Sequence, residues 1–125
     1  MNNNRSLFDV FNGYFDVKKM LYQTSNMQKK PQKLLLSTLM SSIANSQFRD
    51  IKRLIRIGAD VNRVHPELGD TPLTVASYLG LLRIVRFLVS SNADINKANN
   101  DGNTPLIVAS KFGRLAIVRL FVKSG

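Results

Sequence analysis

The sequence predicts an all-α fold: an elongated solenoid of stacked helix-turn-helix units with turn-forming loops between them. Three observations predict it. Asp70–Asn92 and Asn103–Gly125 align at an offset of 33 residues, with 13 of 23 positions identical. Inside each copy, apolar residues recur at helical spacing. The same frame runs back toward the N-terminus, where the anchor set by Gly113 and Gly80 lands on Ser46 and then on Gly13. Two residues beyond each anchor stand Phe15, Phe48, Leu82 and Leu115, and eight beyond it stand Leu21, Leu54, Leu88 and Phe121. Six beyond it the column is basic, with Lys19, Lys52, Arg86 and Arg119. Four units follow, the first two eroded.

Each unit has readable local physics. Thr71 and Thr104 can cap a helix through the hydroxyl, and Pro72 and Pro105 suit the first helical position, where no N–H is needed. Leu73, Val75 and Ala76 then give a short helix that stops at Gly80, which tolerates the left-handed turn after a helix. Leu81–Ser91 carries Leu82, Val85, Leu88 and Val89 on one helical face. Asn92 can take the left-handed conformation that ends this second helix. Ala93–Gly102, rich in Asn, Asp and Gly, reads as a turn-forming loop.

These residues carry a family likeness. Thr-Pro-Leu-x-x-Ala at 71–76 and 104–109, the glycine after each, and Ile-Val-Arg at 84–86 and 117–119 resemble the ankyrin repeat. Gly-Ala-Asp-Val-Asn at 58–62 and Asn-Ala-Asp-Ile-Asn at 92–96 resemble its signature turn, and a 33-residue period is that family's own. The clear resemblance covers residues 37–125. A fainter match spans about 4–33, where residues 12–21 look like a second ankyrin helix. The implied organisation is a degenerate N-terminal repeat or capping helices over 1–33, then an array over 34–125. Its units run at about 34–66, 67–99 and a truncated 100–125.

Three departures from the family pattern stand out. Thr74 and Ile107 replace the usual histidine after Thr-Pro-Leu, so the network that histidine makes between repeats is not expected. Ser37-Thr38-Leu39 stands where Thr-Pro-Leu belongs in the second unit. The loop around His65-Pro66-Glu67 carries one extra residue. The last helix, with Leu115, Ile117, Val118, Leu120, Phe121 and Val122, is apolar for an end unit, whose outer face is normally polar. Either a partner covers it, or the chain is a shortened relative of a longer protein.

Composition narrows the function. Hydrophobic residues make up 44% of the 125 and charged residues 21%, which suits a packed protein. Cysteine is absent and His65 is the single histidine, which removes disulfide scaffolds, thiolate metal sites, thiol nucleophiles and two-histidine metal sites. No cofactor and no metal are expected. No apolar stretch reaches the ~18 to 20 residues of a membrane span, and the N-terminus lacks a signal-like apolar core, so the chain reads as soluble. A cytoplasmic address fits, or delivery into a host cell if the source is an intracellular bacterium or virus. His65 beside Glu67 would make a general base only with further catalytic groups, and no serine motif or phosphate cradle supplies them, so His65 reads as a loop residue. Asp70, Asp94 and Asp101 read as turn residues that cap backbone N–H groups. The chain is not expected to be an enzyme.

Two surfaces remain as candidates. Ankyrin proteins bind partners with loop tips and the exposed positions of their first helices. That resemblance implies Glu67, Leu68, Asp70, Tyr78 and Leu79 in one unit, and Asn100, Asp101, Asn103, Lys111 and Phe112 in the next. Tyr78, Leu79 and Phe112 would be apolar anchors on a concave groove, aromatic residues being enriched at interfaces. The competing reading packs Tyr78 and Phe112 against neighbouring loops.

The second candidate is the basic ridge Lys19, Lys52, Arg86 and Arg119, with Arg49 and Arg83 in another column and Arg53 and Arg56 beside it. The net charge of +10 could draw nucleic acid or an anionic surface to it. Against this, the charge is spread along the chain, no aromatic stacking platform is apparent among the basic residues, and the ridge reads more simply as a solvated face. The N-terminal segment Ser6–Leu21, with a capping box from Ser6 to Asp9, reads as the eroded first unit in preference to a membrane-surface helix. Gln23–Lys33 is its connecting loop. The expected function is non-catalytic binding of an unidentified protein partner; the alternatives are nucleic-acid or anionic-surface binding through the basic ridge, or a shortened remnant of a longer protein of this kind.

Overall fold

Thr71 and Thr104 each sit in extended backbone at the start of a helix and accept a hydrogen bond from the N–H three residues on, Thr74 at 3.2 Å and Ile107 at 3.3 Å. Pro72 and Pro105 follow as the first helical residues, as the threonine-proline pairs predict. The computed structural model describes residues 30–124, and six helices follow one another there. They are α1 (Lys30–Ala44), α2 (Phe48–Arg56), α3 (Pro72–Leu79), α4 (Leu82–Ser90), α5 (Pro105–Lys111) and α6 (Leu115–Ser124). The described residues include no strand. The expectations for Lys19, Gly13, the Ser6–Asp9 capping box and the rest of 1–29 lie outside the described residues.

One turn joins the two helices of every pair. Gly80 is left-handed at φ 75°, and the N–H of Leu81 reaches back to the Ala76 carbonyl at 3.0 Å. Gly113 and Arg114 repeat this on Ser110 and Ala109. So do Ser46 and Gln47 on Ile43 and Ser42. Ser46 is left-handed at φ 55° without being glycine, a conformation that costs an L-residue ~1 to 2 kcal/mol. The repeat frame had placed it at the glycine position. Asn92, at φ 72°, closes α4 as its residue type predicts.

Successive pairs stack with the inner helices α1, α3 and α5 in close contact and the outer helices α2, α4 and α6 farther apart. One apolar core runs through the stack, from Leu39 and Ile43 through Ile51, Leu73, Val85 and Leu88 to Ile117 and Phe121. Each pair buries its faces only against its neighbours. Ser77 is fully buried inside the stack, and its hydroxyl has no hydrogen-bond partner.

The start of α1 departs from expectation. Lys30–Lys33, read as connecting loop, form its first turn. Pro31 stands there at a position where a helix tolerates proline. Ser37-Thr38-Leu39 starts nothing, because Thr38 donates its hydroxyl to the Leu34 carbonyl at 3.0 Å inside the helix and caps no N–H.

Candidate functional site

The loops between pairs are fastened to each other by carboxamide side chains. Asn62 donates its Nδ2 to the Asn92 carbonyl at 3.1 Å and accepts the Asp94 N–H at 2.7 Å. One junction earlier, Gln32 in α1 makes the same two-point clip, to the Gly58 carbonyl at 2.6 Å and the Asp60 N–H at 2.9 Å. Within each loop an aspartate folds the turn: Asp60 accepts from the Asn62 N–H, and Asp94 from the Asn96 N–H, both at 2.9 Å.

Each tip is a turn closed by one main-chain hydrogen bond. His65 donates its N–H to the Asp70 carbonyl at 2.8 Å, and Asn99 donates to Asn103 at 2.9 Å. The first turn therefore holds the extra residue that the sequence spacing indicates. His65 Nδ1 accepts from the N–H groups of Glu67 and Leu68, at 3.2 and 3.4 Å. Asn99 Oδ1, one unit on, accepts from Asp101 and Asn103. His65 thus shapes a turn, and its contact with Glu67 is to main chain.

The two tips are joined. Asn100 donates its N–H to the Leu68 carbonyl at 3.1 Å and its Nδ2 to the Glu67 carbonyl at 2.8 Å. Asn99 Nδ2 donates to Asp70 Oδ1 at 2.9 Å. Of the three aspartates read as N–H caps, only Asp94 acts so. Asp70 spends its carboxylate on Asn99 across the junction, and at Asp101 the backbone N–H is itself capped by Asn99.

Glu67, Leu68, Asn100 and Asp101 remain exposed on these tips, while Asp70 and Asn103 are half-buried. Lys111 reaches Asn103 Oδ1 at 3.3 Å. At the far ends of α3 and α5 from the tips, Tyr78 and Phe112 meet edge to face with ring centroids 4.5 Å apart and an interplanar angle of 86°. They remain 47% and 49% exposed, so each packs on the other and still offers half its surface. Leu79 differs from its expected place: it is partly buried against the core. Sequence reasoning also missed Arg114, which reaches across the junction to the Tyr78 carbonyl with Nε at 3.1 Å and Nη2 at 3.0 Å.

The described part of the basic column divides. Lys52, Arg86 and Arg119 are all exposed, but they line different furrows between the outer helices. Arg86 and Arg119 flank one of about 340 Å³ with Lys123. Lys52 lies in another, of about 390 Å³, with Arg49, Arg53, Arg56 and Arg83 around Phe48. An aromatic ring therefore does stand among the basic residues. Of the two cations over the Phe48 ring, Lys52 comes from the same helix and Arg83 from the next unit.

Among the described residues no helix is long and apolar enough to cross a membrane, and no three His, Cys, Asp or Glu side chains gather as metal ligands. A family model described as ankyrin repeats matches residues 39–125 with three copies. Over 67 residues the chain is 36% identical to protein phosphatase 1 regulatory subunit 27 of Mus musculus, covering 54% of this chain and 43% of that one. It is 35% identical over 68 residues to the ARF GTPase-activating protein GIT2 of Homo sapiens, covering 54% and 9%. Over 53 residues it is 34% identical to an ankyrin repeat and KH domain-containing protein of Caenorhabditis briggsae, covering 42% and 2%. The chain spans less than half the length of these relatives.

Proposed function

The chain belongs to the ankyrin repeat family, and from that premise we propose that it is a non-catalytic binding module that holds a protein partner on its inner helices and loop tips. The observation that carries this reading is the Tyr78–Phe112 pair, two aromatic rings half-exposed side by side on a rigid support. Such rings give large contact area at small entropic cost and are over-represented among the anchors of protein interfaces. Glu67, Leu68, Asn100 and Asp101 add exposed groups on the tips, at the opposite ends of the inner helices, and Lys111 precedes Phe112 directly. The tips are fixed before any partner arrives, which lowers the ordering cost of binding.

The relatives support the general class. Protein phosphatase 1 regulatory subunit 27 is by name a subunit that regulates another protein, and ankyrin repeats generally mediate contacts between proteins. The absence of a membrane-crossing helix among the described residues is compatible with a cytoplasmic place of action.

The test is a pull-down from lysate at physiological salt with nuclease added, comparing wild type with Tyr78→Ala/Phe112→Ala. A protein retained by wild type and lost by the double variant supports the reading. Capture that disappears with nuclease, whatever stands at 78 and 112, refutes it in favour of nucleic acid.

A further inference from the structure

We infer that the furrow between α2 and α4 is a binding site for a ligand carrying clustered phosphates. This site is on the outer helices and does not depend on the aromatic pair of the inner ones. Its lining is Phe48, Arg49, Lys52, Arg53 and Arg56 of α2 with Arg83 of α4, around a hollow of about 390 Å³. Five cations face one another there, and Asp50, 4.0 Å from Arg53, forms the one ion pair made by a lining residue among the described residues.

Helix chemistry accounts for only part of this charge. Arg53 and Arg56 lie in the last turn of α2, where the helix dipole welcomes a cation. Arg49 and Arg83 are each the second residue of a helix, the end at which the dipole disfavours one. They hold the same place in consecutive units, and in the third unit that place is Ala116. The extra cations are therefore confined to this furrow, where they repel each other until an anion arrives.

Phe48 sets their geometry. The Arg83 guanidinium stands over its ring at 4.5 Å from the centroid and Lys52 Nζ at 5.3 Å, while Phe87 closes edge to face at 5.5 Å. Two of the cations are thus positioned in advance. The ring is already engaged by both cations and Phe87, which disfavours it as a platform for a nucleobase.

Phosphate fits this arrangement better than carboxylate. A phosphate brings roughly −1.5 to −2 charge and three acceptor oxygens on one centre, and guanidinium forks bind such oxygens in pairs.

The experiment titrates the full chain with tripolyphosphate by calorimetry at ~150 mM salt, where long-range attraction is screened. Two variants of equal net charge are compared with wild type. Arg49→Gln/Arg56→Gln/Arg83→Gln removes three of the five cations of this furrow, and Arg86→Gln/Arg119→Gln/Lys123→Gln removes the three of the next. All six side chains are exposed, and circular dichroism checks that both variants are folded. The first variant is expected to bind about tenfold or more weakly, the loss of one strong contact, and the second within about twofold of wild type. Equal weakening in both, or no binding by wild type, would overturn the site. A second arm uses vesicles containing phosphatidylinositol bisphosphate, with phosphatidylserine vesicles matched in charge. Capture by the former alone, released by tripolyphosphate, assigns the phosphates to a lipid headgroup, and calorimetric binding without vesicle capture assigns them to a soluble ligand. Preference for a single-stranded oligonucleotide over tripolyphosphate would also overturn the inference.

Discussion

Arg114 holds the main-chain carbonyl of Tyr78 with two donors at once, tying the residue just before α6 to the end of α3 in the pair before it. That carbonyl lies at the negative end of the α3 dipole, so the guanidinium gains from both hydrogen bonding and charge. Arg114→Ala is expected to cost ~1 to 2 kcal/mol in a urea melt and to loosen the Tyr78–Phe112 contact. Arg114→Lys, with a point charge instead of a fork, should recover only part of that loss. An unchanged melt in the alanine variant would show that the contact is idle.

Gly69 and Gly102 occupy equivalent places at successive tips, both left-handed, at φ 74° and 81°. A Cβ on Gly69 would run into the Asn100 side chain and come within 3.0 Å of its backbone nitrogen, whereas a Cβ on Gly102 meets nothing within 4 Å. Gly102→Ala should therefore cost only the backbone strain, ~1 kcal/mol. Gly69→Ala should cost ~2 to 4 kcal/mol, because Asn100 must also give up its bond to Glu67. Equal losses by thermal melt would contradict the crowding at Gly69.

Leu88 is completely buried at the centre of the core, and Leu115 is 64% exposed on α6. Leu88→Ala is expected to destabilise by ~2 to 5 kcal/mol through the cavity it leaves. Leu115→Ala should change stability by less than ~0.5 kcal/mol in the same denaturant titration. A loss below ~1 kcal/mol at Leu88 would mean that the stack closes around the gap.

Ser77 buries a hydroxyl with no partner, while Ser110 at the same place in the next unit is exposed. Removing a desolvated, unpaired group relieves its cost. Ser77→Ala should leave stability unchanged or raise it by up to ~1 kcal/mol, and Ser110→Ala should be neutral. A clear drop in melting temperature for Ser77→Ala would reveal a bonded hydroxyl.

Much of the fold was legible because its determinants are local. Thr71, Pro72, Gly80 and Asn92 each act within a few residues of themselves, and the repeat carries their meaning from one unit to the next. Ser46, which the frame marks only as an anchor, repeats the left-handed turn with no glycine to signal it. What stayed hidden depends on contacts between units. The frame steps back from Asn62 to residue 29, yet the clip at the earlier junction is made by Gln32, about one helical turn further on. Arg49, Lys52, Arg53 and Arg56 read as a thickened stripe on one helix. Only the spread of the outer helices turns them, with Phe48 and Arg83, into the walls of a furrow. Leu79 was misplaced for a related reason: its helix position suggested the surface, but the neighbouring core reaches it.

The carboxamide clips at the loops have a chemical future as well as a present. Each needs one group that donates and accepts on either side of a turn, and asparagine and glutamine are among the thermolabile residues. Hydrolysis of the Asn62 carboxamide would set a carboxylate oxygen against the Asn92 carbonyl, replacing a bond with a repulsion. Asparagine loses its amide faster than glutamine, because the five-membered imide it passes through closes more readily. The two seams would age unequally, and the joint held by Gln32 would outlast the one held by Asn62.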